Sequence, residues 1–327
     1  YVKSLRTEGH SKLGDRLSIW AAEHFWLVQS LAKVGLRVGK ITEKLLGLAF
    51  LKTASGFLSK YGLTPLWNEK LPNAAKSLPQ SMMNGGDEWI YFPSCLTRVF
   101  SSDGQKTSLA EVLMEISQSS GISLQIPPDI NSSCCSQPFS TKGLVEAAIS
   151  IQAKTINLLY KASNGGSLPI LVDTSPCTYQ FLYPNNGLDK SSIDKLKKLK
   201  FVDIIQFLSQ CVNSVDRLKL KRNITLHPTC ASEKMGHSQI MAELALKCAE
   251  KAIIPTHWGC CGFAGDRGLI IPELNRSATR MEKEETNDHE MGYSTSRTCE
   301  VGMMSNSDID YQSIAFLVRD YLNQSVN

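Results

Sequence analysis

Eight of the ten cysteines in this chain fall into one order written twice, a lone Cys, an adjacent pair, then a lone Cys: Cys95, Cys134 and Cys135, Cys177, and again Cys230, Cys260 and Cys261, Cys299. Thiolates are soft, strongly donating ligands that suit iron-sulfur clusters and zinc, and a cluster is usually held by four of them. Each copy supplies four. Side chains on adjacent residues tend to diverge, so one zinc ion takes both only with backbone distortion, whereas a multi-iron cluster offers each its own iron. Three other readings use the same thiols: thiol-disulfide chemistry, a zinc or structural role, and packing as small hydrophobes. The last suits Cys211 and Cys248, which lie outside the repeat in helical stretches. Structural disulfides fit poorly, because secreted disulfide scaffolds are usually much shorter than 327 residues.

The gaps within the copies, 38 and 41 residues in the first and 29 and 37 in the second, are far too long for a zinc knuckle or ribbon. A fold must bring these thiols together. Each lone Cys ends a short apolar or β-branched run: EWIYFPSC (88–95), PILVDTSPC (169–177), NITLHPTC (223–230) and, more weakly, MGYSTSRTC (291–299). Strands followed by helical patterns predict parallel βαβ units, whose ligands gather beyond the carboxyl ends of the strands. The fold class expected is therefore α/β, a duplicated domain with parallel strands preceded by a helical segment. The boundaries expected are residues 1–86 for a basic helical segment and linker, 87–222 for the first α/β repeat and 223–327 for the second.

The second copy has the richer setting. Cys260 and Cys261 are followed by GFAGDRG (262–268), whose glycines let backbone amides approach a cluster. Arg267 or Arg297 nearby would raise a reduction potential by stabilising the more negative reduced state, although Asp266 and Arg267 equally read as an ion pair. His227 and His257 each stand three residues before a candidate ligand, as hydrogen-bond donors, ligands, proton carriers or plain structural histidines.

From Asp15 to about Tyr61 the pattern is helical, with Trp20, Phe25, Val28, Leu31, Val34, Ile41, Leu45 and Leu48 at three- and four-residue intervals. Leu63 to Gly86, rich in Pro, Asn, Ser and Gly, reads as a linker. Further helices are expected over Thr107–Ser119, Thr141–Ala162, Ser191–Val212 and Ser232–Ala252, with a strand-like stretch to Pro255 and a strand and helix, or a helix, over Asp310–Leu322. Residues 1–86 carry 12 Lys/Arg against 5 Asp/Glu, so the net charge of +4 belongs to the amino-terminal third. Basic amphipathic helices of this kind dock on a membrane interface, on an anionic partner, or on another domain with their charges solvated. No apolar run is long enough to span a membrane, and the composition is that of a soluble globular chain.

The adjacent pairs and the duplication resemble the CCG, or cysteine-rich, domain found in heterodisulfide reductase and in the iron-sulfur subunits of glycolate and lactate oxidation systems. HPTCASEKMG (227–236), CCGFAGDRG (260–268), PEL (272–274), YSTSRTCEVG (293–302), CCSQPFSTKG (134–143) and PLWN (65–68) are more similar still to the carboxy-terminal part of bacterial FAD-binding and iron-sulfur-binding oxidoreductases of the quinone- or cytochrome-linked D-lactate dehydrogenase type. The resemblance implies a 4Fe-4S type of cluster on Cys95, Cys134, Cys135, Cys177, Cys230, Cys260, Cys261 and Cys299, with His227, His257, Asp266, Arg267 and Arg297 beside them. It implies FAD and ferredoxin-like domains in a longer protein, a quinone or cytochrome as acceptor, a cytoplasmic location with peripheral contact at the inner face of the membrane, and no nucleic acid. Tyr1–Arg6 looks like the sequence after the ferredoxin-like motifs, so the flavin active site is expected outside this chain. The chain departs from the heterodisulfide reductase pattern at Ser136, where that pattern has glycine, and at Gln180 and Gly302, where it has a further Cys. Four thiolates per site are then expected rather than five, with the second copy, which keeps Gly262, as the better site. The alternatives are heterodisulfide-type thiol chemistry and a zinc or structural-cysteine scaffold.

Overall fold

The computed structural model describes residues 12–60, 64–80, 87–102, 104–105, 107–213 and 215–324; Tyr1–Arg6 lie outside the described residues. The helical start consists of three helices rather than one run: α1 (Lys12–Glu23), α2 (Phe25–Leu46) and α3 (Leu48–Lys60). Gly47 adopts φ +83, a left-handed conformation that ends α2 at little steric cost. The face of α2 that packs on the body carries Phe25, Gln29, Leu36 and Gly39. At Gly39 the Trp67 ring lies where any side chain would stand, 2.1 Å from an added Cβ, and its indole N–H donates to Glu43 at 3.1 Å. The apolar repeat through Trp20, Leu31, Val34, Ile41 and Leu45 faces outward.

Two four-stranded parallel sheets follow, with the same strand order. In the first, β1 (Asp87–Phe92), β2 (Ile122–Gln125), β3 (Pro169–Val172) and β4 (Lys200–Asp203) run in the order β2-β1-β3-β4; in the second, β5 (Leu220–Leu226), β6 (Ala249–Ile253), β7 (Met291–Ser294) and β8 (Tyr311–Ser313) run β6-β5-β7-β8. The duplicated α/β architecture expected from the cysteine pattern is the one observed. β5 begins at Leu220, ahead of the 223 boundary expected for the second repeat. In each sheet the chain moves to one side after its first strand and to the other after its second, which puts a topological switch point between β1 and β3 and between β5 and β7.

The helices that connect the strands are α4 (Cys95–Val99), α5 (Leu109–Ser119), α6 (Gln137–Ser140), α7 (Val145–Ala162), α8 (Ser175–Leu182), α9 (Lys190–Leu196), α10 (Ile204–Asn213), α11 (Cys230–Lys234), α12 (Ser238–Cys248), α13 (Pro272–Thr286), α14 (Arg297–Met304) and α15 (Ile314–Leu322). Ser108 and Glu111 form a reciprocal capping box at the start of α5, where the sequence indicates a helix start. The purely helical stretch expected over Ser191–Val212 is corrected: β4 lies inside it, between α9 and α10. One continuous apolar cluster, including Trp89, Leu113, Phe207, Leu226, Leu244 and Phe316, joins the helices between the sheets, so the two units share a core.

Residues 64–80 are a strap rather than a free linker. The Leu66 amide donates to Leu269 O at 2.8 Å and Asn68 bonds Ser305 at 2.9 Å, both in the second unit, while Ala75 donates to Val99 O at 2.8 Å in the first. Leu71 and Ala75 of the strap are themselves buried. None of the described helices is long and apolar enough to cross a membrane.

Candidate metal centre

Every cysteine of the repeat leaves the carboxyl edge of a parallel sheet. Cys95 opens α4 after β1, and Cys230 opens α11 after β5; Ser94 and Thr229 cap these turns, accepting from the Thr97 and Ser232 amides. Cys177 and Cys299 lie in the first turns of α8 and α14, after β3 and β7. The lone cysteines thus flank the two switch points, and the adjacent pairs arrive in the loops after β2 and β6.

The residue after each pair has a left-handed backbone, Ser136 at φ 85 and Gly262 at φ 70. The Ser136 departure therefore preserves the loop, at the cost of holding a non-glycine residue where glycine is favoured. Its hydroxyl accepts from Asn185 Nδ2 at 2.7 Å. No such exchange fits at Gly262, where an added Cβ would stand 2.7 Å from the Leu274 carbonyl oxygen.

All eight thiols are free and converge in two sets. In the first, Cys95 meets Cys134, Cys134 meets Cys135, and Cys135 Sγ lies 3.2 Å from Cys177 Sγ. In the second, Cys230 meets Cys260, Cys260 meets Cys261, and Cys261 Sγ lies 3.4 Å from Cys299 Sγ. The first set is the more enclosed, with Cys134, Cys135 and Cys177 buried, whereas Cys230 and Cys260 are exposed.

Each set has a buried basic group that the motif reading did not single out as such. Arg98, three residues after Cys95 and 1 % exposed, donates to the Ile130 and Ser94 carbonyls and, at 2.6 Å, to Ser133 O. Burial lowers its pKa, while Cys95, Cys134, Asp173 and Cys177 favour its charged form. Asp173, buried after β3, accepts from Tyr91 OH at 2.8 Å and from the Ser94 amide at 2.9 Å, which locks the turn that presents Cys95. The signals were present in the sequence, an Arg inside CLTRV and an Asp ending PILVD, yet either residue reads equally well as exposed.

In the second set the buried basic side chain is His227. Its Nδ1 lies 2.9 Å from Glu282 on α13, with both side chains buried. Burial alone would lower its pKa, but contact with Cys299 and with Glu282 raises it to about 9. Contact with Cys261, helped by His227 and opposed by burial, brings Cys299 down to about 6. Contact with Cys134 and burial hold Cys95 well above the usual thiol range, so the first set lacks an equally acidic thiol. The ligand atoms of His227, Cys261 and Cys299 all lie within 4.8 Å of one another, an arrangement with the capacity to hold a metal or a cluster.

A cavity of about 400 Å³ lies between the two sets. Cys95, Cys135 and Cys177 line it from one unit, and Cys230, Cys260, Cys261 and Cys299 from the other. Leu96, Phe100, Phe263 and Val301 make its wall largely apolar.

Residues 89–182 match the family model of the cysteine-rich CCG domain. The chain is also similar to lactate utilization protein A 1 of Bacillus mycoides (strain KBAB4), at 23% identity over 193 residues, which cover 56% of this chain and 74% of that protein. The family match falls on the first unit; the second repeats its strand order and its arrangement of thiols.

The remaining residues expected at the centre divide. Arg297 lines the cavity and is paired with Glu300 at 2.8 Å. Asp266 lines it too, but the ion pair expected with Arg267 is replaced by one to Lys142 of the first unit at 2.5 Å. Arg267 opens a 3₁₀ turn (Arg267–Leu269) and is half-buried. His257 stands apart, exposed and bonded to Glu285.

The donor chemistry of the second set, four free thiols beside buried His227, fits a metal or a cluster, and the first set offers four free thiols beside buried Arg98. Neither place where a fifth thiol would stand carries a cysteine. Gln180 is tied to Asn185, and a Cβ on Gly302 would press on Phe263 at 3.0 Å.

Proposed function

We propose that this chain is the iron-sulfur electron-transfer part of a FAD-dependent D-lactate, or D-2-hydroxy acid, dehydrogenase system. Cys95, Cys134, Cys135 and Cys177 would hold one 4Fe-4S type of cluster, and Cys230, Cys260, Cys261 and Cys299 another. A bound cluster supplies one-electron chemistry at a potential tuned by burial and hydrogen bonding. In this reading Arg98 and His227 offset the negative charge of the buried thiolates, and the apolar cavity wall restricts water between the two sets. The observation that carries the reading is that both sets open on one cavity, lined by every thiol of the repeat except Cys134. Similarity to a protein named for lactate utilization supports the choice of substrate class. Flavin and ferredoxin-like domains of a longer protein would deliver electrons, and a quinone or a cytochrome would accept them.

The test is iron, acid-labile sulfide and EPR on protein prepared without oxygen, with Cys260→Ser and Cys134→Ser. About eight irons, falling by half in each variant, support a cluster at both sets. About four, lost in only one variant, assign a single cluster. Zinc or no metal overturns the reading.

A second reading, thiol-disulfide chemistry, is favoured by the 3.2 and 3.4 Å sulfur contacts and by the acidic Cys299. It predicts turnover of a disulfide substrate by metal-free protein, abolished by alkylation of Cys260.

A further inference from the structure

The outward face of α2 repeats apolar residues at alternating spacings of four and three: Leu27, Leu31, Val34, Val38, Ile41 and Leu45. α1 carries the same spacing in Leu13, Leu17 and Trp20. From Leu31 to Leu45 each of these side chains is between 53% and 75% exposed, on the side of the helix away from the buried Phe25, Gln29, Leu36 and Gly39. An α-helix has 3.6 residues per turn, so a strict 3.5-residue apolar repeat is the seam of a two-helix coiled coil. A helix lying in a lipid interface needs a broader apolar arc. Between Leu31 and Leu45 this seam is narrow, with Arg37 and Lys44 directly along one flank and Gly35 and Thr42 along the other.

The flanking charge states what the missing strand must carry. Lys40 is turned inward, on Glu43 at 3.3 Å, on the Glu69 carbonyl and over the Trp67 ring, so it helps seat α2 on the body. Arg37 and Lys44 are exposed and edge the seam in the positions that meet a partner's flank in a coiled coil. A second copy of the chain would offer them Gly35 and Thr42 in a parallel pair, which gives no ionic attraction, or Arg37 and Lys44 again in an antiparallel pair, which repel. We propose that α2 is one strand of a coiled coil whose other strand is a partner protein's helix with an apolar 4-3 repeat and acidic residues opposite Arg37 and Lys44. The proposal stands on the seam and its flanks and is independent of the iron-sulfur reading.

Two fluorescent helical peptides test it on the full chain. Both carry Leu and Ile at the seam positions; one has Glu on both flanks, the other Lys. The acidic peptide is expected to bind at least about tenfold more tightly by fluorescence anisotropy, an advantage that shrinks with salt. The double variant Val34→Glu, Val38→Glu should lose that binding with an unchanged circular dichroism spectrum, since both residues are exposed. The variant Arg37→Glu, Lys44→Glu should reverse the preference towards the basic peptide. Equal affinity for the two peptides, or none for either, overturns the proposal. So does self-association of the unmodified chain in the ultracentrifuge that Val34→Glu abolishes, which would assign the seam to a second copy. Binding to phosphatidylserine vesicles that the same variant abolishes, with neither peptide bound, would assign it to a membrane.

Discussion

His227 Nδ1 lies 2.9 Å from Glu282 with neither side chain more than 2% exposed, and the same imidazole touches Cys299. A carboxylate behind a histidine that borders a metal centre fixes the ring and sets its proton affinity, and losing such a partner usually costs about 10–100-fold in metal affinity. Glu282→Gln is therefore expected to leave the fold intact and to shorten the retention of metal at the second set by about tenfold or more under a chelator, with the first set unaffected. Equal retention by the variant and the parent would remove His227 and Glu282 from the centre.

Arg98 presents a harsher case. Its guanidinium is enclosed and serves the Ser94, Ile130 and Ser133 carbonyls at once. Arg98→Met removes the charge and strands those acceptors, and breaking a buried ionic network of this kind costs about 3–5 kcal/mol. Urea unfolding of the metal-free protein measures it. A loss below about 1 kcal/mol would mean that water reaches the guanidinium and that the first set is open to solvent.

The two left-handed positions give a pair of opposite expectations. Ser136→Gly relieves a strained backbone and gives up the bond from Asn185, so the net change should stay within about 1 kcal/mol. Gly262→Ser drives a side chain into the Leu274 carbonyl and should cost about 1–3 kcal/mol. The same urea curves compare them, and equal costs at both positions would contradict the tight packing around the second pair.

Glu285 links pH to the loop before Cys260. It accepts from the amides of His257 and Thr256 and from the His257 ring, and these bonds hold its pKa down to about 2 from an unfolded value of 4.5. A depressed carboxyl pKa stabilises the folded form above the unfolded value, and that contribution is lost as pH falls from about 4.5 through about 2. Amide exchange at Thr256 and His257 in metal-free protein should quicken over that window relative to the rest of the chain. Glu285→Gln should show fast exchange at about pH 6 already and little further change.

The thiol sets were legible because eight cysteines in a repeated order, each lone one closing an apolar run, leave few folds that bring them together. The switch points then account for which strands carry them. Charges behind the thiols were less legible: Arg98 and Glu282 lie within helices, and burial of a charged side chain is set by tertiary packing rather than by local pattern. His257 misled for the mirror reason, since a residue three positions from a ligand in a loop can point either way, and Glu285 turns it outward.

Among the elements, β4 escaped notice because KFVD is short, begins with Lys and is embedded between two helical patterns. The repeat through Leu31, Val34 and Ile41 identified a helix correctly while saying nothing about which face meets the body. The packed face joins Phe25 and Leu36 to small and polar residues, Gly39 under Trp67 and Gln29 bonded to Asn131 O at 2.6 Å, and these last two carry no hydrophobic signal.

The strap from residue 64 to 80 ties the two units together in a way that neither sheet does alone. Its bonds at Leu66 and Asn68 grip one unit and its bond at Ala75 grips the other. Tunnelling rates fall exponentially with the gap between donor and acceptor, so any hinge between the halves would make transfer intermittent. Under the proposed electron-transfer reading, this clasp would hold the gap between the two thiol sets and make transfer between them less dependent on domain motion.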